Sequence, residues 1–207
     1  FVGTDNVTMG SGGTETIQHC SSVHPSGGAL AAAWITDNES LMSATVTSGA
    51  AWSIVNEVLA QAGGTDASIA CDMTFASDGT AYLIAVADNG TGVLSYSSAD
   101  NGSSWSAISP VKGDPSSGAI KDIAIVIDTG LNLPVVAANA NGKVTVFALD
   151  NSSGSNVWTT YIAEPVSANT DTTSRVSLSA LSDGSVFAVG YPNATPDNAT
   201  VQVFYDE

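Results

Sequence analysis

A chain of 207 residues with 20 Asp+Glu against 4 Lys+Arg, a formal net charge of −16, cannot neutralise a phosphate backbone. That excludes nucleic acid as a partner and disfavours an anionic membrane surface. No run approaches the ~18 apolar residues a membrane-spanning helix needs, and 20 Gly among many Val, Thr, Ser and Ala favour short strands and tight turns in one domain.

From the N-terminus, Phe1-Val2-Gly3 and Val7-Thr8-Met9 read as a strand that runs into Gly12-Gly13-Thr14-Glu15. A first turn follows at Pro25-Ser26-Gly27-Gly28, and a second at Gly49-Ala50-Ala51-Trp52. Trp52, Trp105 and Trp158 are 53 residues apart each time and each follows a Gly, so three hairpins are copies of one hairpin. The first turn has counterparts in Ser77-Asp78-Gly79, Asp128-Thr129-Gly130 and Ser182-Asp183-Gly184, which makes four repeats. Between the turns, Ala81 to Val86, Leu133 to Ala138 and Ser185 to Val189 are apolar runs of strand length. Four strands in about 50 residues is the size of a propeller blade.

The most informative turn is Ser98-Ala99-Asp100-Asn101-Gly102-Ser103-Ser104-Trp105, between Val93-Leu94-Ser95-Tyr96 and Ser106-Ala107-Ile108. The Asp carboxylate can accept N–H groups from the residues after it, the Gly can take a positive φ, and the Trp ring can bury against a sheet. The stretch resembles the Asp box, or BNR repeat, of sialidases and related β-propellers. In that family Asp100, Gly102 and Trp105 are structural. The resemblance implies an all-β propeller nearest to secreted propeller lectins. A catalytic sialidase would need a cluster of three arginines, and the sequence has only Arg175.

The expected fold is a single four-bladed β-propeller with blades at about 15–59, 66–111, 118–166 and 173–207. Residues 1–10 supply the outer strand of the last blade, so that N- and C-terminal segments pair and close the ring. The alternatives are an incomplete larger propeller or a β-sandwich.

Seven Asn-x-Ser/Thr acceptors, Asn6, Asn38, Asn89, Asn101, Asn151, Asn193 and Asn198, sit mostly in expected hairpin loops. With a start at Phe1 that reads as processing, they predict a secreted, extracellular glycoprotein. Cys20 and Cys71 are 51 apart, occupy matching places in adjacent inner strands, and are read either as a disulfide or as two buried thiols. His19 and His24 fall in the first strand of blade one on opposite sides, which does not suit a shared zinc ion.

Glu15 and Asp66 follow Gly-Gly-Thr, and Asp171 follows Asn169-Thr170, at one register before the inner strands. Three carboxylates around one axis could hold Ca²⁺ or bond sugar hydroxyls, or each could cap its own turn. Trp34 stands where the other blades have an aliphatic residue, as core filler or as a stacking platform, and Tyr191 precedes Pro192 near a loop mouth. The expected function is carbohydrate binding without catalysis, through Trp34, Tyr191 and these carboxylates. A polysaccharide lyase or glycosidase and a protein-binding scaffold are the other classes.

Overall fold

The computed structural model describes residues 16–36, 40–47, 56–59, 70–87, 92–108, 120–140, 143–164, 175–183, 186–191 and 200–204. Among them are fifteen strands and no helix, so none is long and apolar enough to cross a membrane as a helix. Sheet one holds β1 (Thr16–Val23), β2 (Ala29–Thr36), β3 (Leu41–Thr47) and β4 (Asn56–Leu59). Sheet two holds β5 (Cys71–Phe75), β6 (Ala81–Val86), β7 (Val93–Ser98) and β8 (Ser106–Ala107). Sheet three holds β9 (Ile120–Asp128), β10 (Leu133–Ala140), β11 (Lys143–Asp150) and β12 (Val157–Glu164). Sheet four has three described strands, β13 (Arg175–Ala180), β14 (Val186–Tyr191) and β15 (Thr200–Phe204). Each sheet is an antiparallel meander in chain order.

Side-chain alternation shows how the sheets stack. In β6, Ala81, Leu83 and Ala85 join a core with Ala31, Ala33 and Ile35 of sheet one, while Ile84 and Val86 join a core with Ile123, Ile125, Val136 and Ala138 of sheet three. Sheet three repeats this, turning Ala124, Val135 and Ala137 toward Val176, Leu178 and Val186 of sheet four. A strand covered on both faces needs apolar residues at every position, which is why β2 and β6 read as continuous hydrophobic runs. Full burial of Leu83 and Ile84 stabilises by roughly 1.5–3 kcal/mol each. Small residues such as Ala31, Ala33 and Ala137, all 0% exposed, let neighbouring sheets approach.

The first strands lie side by side: β1 against β5, β5 against β9, and β9 against β13. They are the inner strands of a radial array, and the described β1–β2, β5–β6, β7–β8, β9–β10 and β11–β12 turns emerge on one edge of it. Closure through residues 1–10 falls outside the described residues. Among the described strands no comparable junction joins β13 to β1.

Candidate functional site

The turn after β7 is built from its own side chains. Asn101 (φ 61°) and Gly102 (φ 85°) are both left-handed, which costs Gly nothing and Asn little. Gly102 is also a point of close approach, since a Cβ there would lie 3.1 Å from Thr45 Cγ2 and 3.2 Å from Ala31 Cβ, both in sheet one. Asp100 Oδ1 accepts the Ser98 hydroxyl at 2.6 Å and the Ser104 N–H at 2.8 Å, and Oδ2 accepts the Ser104 hydroxyl at 2.6 Å. Ser98 Oγ accepts the Gly102 N–H at 2.8 Å. Desolvation works against the Asp100 charge, but the donors from Ser104 and Ser98 outweigh it and hold the carboxyl below its ordinary range.

The tryptophans tie one sheet to the next. Trp105 Nε1 donates to Ser43 Oγ of β3 at 2.9 Å, and Trp158 Nε1 donates to Ser95 Oγ of β7 at 3.0 Å. The turn before Trp158 differs from the one before Trp105: its glycine, Gly154 (φ 76°), bonds the carbonyl of Asn151 at 3.0 Å. The Ser152 N–H and hydroxyl hold Asp150 below the carboxylate norm. Trp52 lies outside the described residues.

Three further links run along the same edge. The His24 ring packs edge-on to Phe75, with centroids 5.4 Å apart, and rests on Gly79 so closely that a Cβ there would be 2.5 Å from Nε2. His24 therefore sits in the turn after β1, not in the strand, and its Nδ1 accepts the Ser26 N–H at 3.1 Å. Asn132 Oδ1 accepts both the N–H and the hydroxyl of Ser77 at 2.7 Å. The Thr129 hydroxyl donates to the Leu181 carbonyl at 2.6 Å. Every described junction is thus latched at its β-turn, and the edge presents the hydroxyls and carboxylates of Ser26, Asp78, Asp100 and Ser104 to solvent.

Sequence reading missed a second set of bridges. Asp72 of β5 accepts the Met73 N–H at 2.9 Å through Oδ1 and, through Oδ2, the Ile125 N–H of β9 at 3.0 Å. Asp122 Oδ2 of β9 accepts the Val176 N–H of β13 at 2.8 Å. Burial pushes the Asp72 carboxyl up, against the two N–H bonds that favour its charge. The signal was present: an acid stands near the start of each of two inner strands, 50 positions apart and among apolar neighbours.

Of the residues singled out for ligand binding, Trp34 is 1% exposed. It is a core residue, not a stacking platform, because it lies on the sheet-one face that also buries Ala32 and Ala44, with no ring face open to a sugar. Tyr191 ends β14 opposite Arg175. Glu15, Asp66 and Asp171 lie outside the described residues, as do Asn6, Asn38, Asn89, Asn193 and Asn198. Among the described residues no three His, Cys, Asp or Glu side chains gather as a metal site. Asn101 is half-buried in its turn and Asn151 is exposed. The Cys20 and Cys71 sulfurs lie 3.3 Å apart.

No family model and no curated protein matches the chain. Solved structures do. AofleA from Arthrobotrys oligospora aligns with a TM-score of 0.55 at 12% identity, covering 92% of this chain and 57% of that one. An exo-β-1,3-galactanase from Phanerochaete chrysosporium gives 0.54 at 12%, over 88% and 46%. The six-bladed, fucose-recognising fungal lectin of Aleuria aurantia gives 0.53 at 11%, over 93% and 62%. The chain spans about half to three fifths of the length of these structures. With inner strands stacked in series and every described sheet an antiparallel meander, the fold is that of a β-propeller, of the kind found in propeller lectins.

Proposed function

We propose that this chain is a secreted, glycosylated carbohydrate-binding propeller that recognises glycans without cleaving them. The observation that carries the reading is the propeller fold itself, aligned over 93% of the chain with a fucose-recognising lectin. Charge narrows the ligand. With 4 Lys+Arg against 20 Asp+Glu, the surface repels sialylated or sulfated chains, so the partner is a neutral sugar. Carboxylates of Glu15, Asp66 and Asp171 would accept its hydroxyl protons, and the Tyr191 ring would stack on its C–H face. Repeated weak sites on one rigid array gain by avidity, so affinity for a dense glycan surface exceeds that for a monosaccharide.

The aligned exo-β-1,3-galactanase supports a second reading, a polysaccharide-cleaving enzyme. An array of neutral and acidic glycans, read alongside reducing-end release from the same oligosaccharides, separates the two. Binding to neutral glycans with no release is the expected result. Release of reducing ends assigns the enzyme, and a blank array with capture of a protein partner assigns a scaffold.

A further inference from the structure

We infer that Cys20 and Cys71 are the two halves of an intramolecular disulfide that staples the inner strand of sheet one to the inner strand of sheet two. The two thiols come from different sheets, yet the Cys20 Sγ–H donates to Cys71 Sγ at 3.3 Å. Neither residue is placed there by a turn or a local hydrogen bond. Cys20 pairs with Ala33 in sheet one and Cys71 with Ala85 in sheet two, so each sits in a regular strand. The facing of β1 and β5 brings the sulfurs together, and the Cys71 Sγ–H also reaches the Ala33 carbonyl of β2 at 4.0 Å. Bond formation asks the sulfurs to close to about 2.05 Å, a movement of roughly an ångström that side-chain rotation can supply. Cys71 belongs to the apolar cluster that holds Ala31, Ala33, Leu83 and Ala85, Cys20 packs against it, and the Asp72 carboxylate is a charge that acts on the Cys20 thiol.

The pair's surroundings also set when the bond can form. Their mutual hydrogen bond, followed by burial, pushes the Cys20 thiol up, so folded Cys20 offers little thiolate to an oxidant, and Cys71 is buried away from one. Oxidation therefore belongs to folding, before the core between sheets one and two closes. With a low-molecular-weight disulfide such as glutathione disulfide, one cysteine thiolate attacks and expels one glutathione thiolate, leaving a mixed disulfide. The second cysteine thiolate then attacks the protein sulfur and expels the other glutathione. Two protein thiols lose two protons and two electrons, which reappear as two molecules of reduced glutathione. The closed loop holds β2, β3 and β4, so the bridge restricts the denatured chain over a whole blade.

The test is refolding of the full chain from denaturant in a glutathione redox buffer, then thiol titration under denaturing conditions, a non-reducing peptide map, and melting with and without prior reduction. The expected result is no titratable thiol, a peptide joining Cys20 to Cys71, and a melting temperature about 10 °C above that of the reduced protein. Cys20→Ser and Cys71→Ser each retain one titratable thiol and melt with the reduced parent. Two free thiols after refolding, glutathione adducts, a covalent dimer, or a bridged chain that melts no higher than the reduced one each overturn the inference. A glycan array, positive or blank, leaves the result untouched.

Discussion

Trp105 and Ser43 stand 62 residues apart, in different sheets, and meet in one hydrogen bond of 2.9 Å from the indole N–H to a hydroxyl that is 0% exposed. One sheet further on, Trp158 and Ser95 repeat it at 3.0 Å. Trp105 and Trp158, which mark their repeats in the sequence, are therefore also clasps on the preceding blade. Each serves local hairpin and inter-sheet junction at once.

Replacing Trp105 by Phe keeps most of the apolar ring but takes the donor from a buried hydroxyl, an expected cost of about 1–2 kcal/mol. Combined with Ser43→Ala in a double-mutant cycle, the pair should show a coupling energy of about 1 kcal/mol in denaturant melts. Strictly additive losses would mean that the bond contributes packing alone.

Gly79 carries φ +90° under the His24 ring. Gly79→Ala should cost roughly 2–4 kcal/mol, from backbone strain and from the contact with Nε2 together. Adding His24→Ala removes the contact but not the strain, so the double variant should regain part of the loss, leaving about 1–2 kcal/mol. Equal stability of the single and double variants would show that the ring simply swings away.

Asp72 makes a prediction about pH. Its carboxyl is pushed up in the folded state, mainly by burial, so the folded chain holds this proton more tightly than the unfolded chain does. The stabilising share of protonated Asp72 is fully present below the unfolded value and is lost as pH rises through the folded one. Asp72→Asn loses an acceptor but also this dependence. Between pH 4 and neutrality the stability difference should accordingly move in favour of the variant, by chemical denaturation at each pH. A difference that stays constant, or moves toward the parent, would contradict the burial argument.

Calcium provides the fourth test, motivated by Glu15, Asp66 and Asp171 at one register and by the charge of −16. A cation that binds the folded state alone raises the melting temperature by mass action. Ca²⁺ should raise it beyond a matched Mg²⁺ control, and the excess should vanish in Asp66→Asn. Equal effects of the two ions would reduce the phenomenon to charge screening.

What the sequence determined by itself is the part of the fold written in short-range chemistry. The Ser98 to Trp105 turn was legible because its bonds, Ser98 to Asp100 and Asp100 to Ser104, join residues two to four positions apart. The run from Ala81 to Val86 was legible as a strand because covering both faces of a sheet requires apolar residues throughout. Tertiary structure decided which faces meet. Trp34 stands out in the sequence as an aromatic among aliphatics, but only stacking and edge coverage determine that its ring is enclosed and not offered to a ligand. Asp72 and Asp122 stand out as acids among apolar neighbours, but only the approach of β9 and β13 brings them the N–H groups of Ile125 and Val176. Matching positions of Cys20 and Cys71 follow from the repeat, but their 3.3 Å approach depends on how closely two twisted inner strands pack. That distance is set by the small side chains across the whole interface, and no local pattern encodes it.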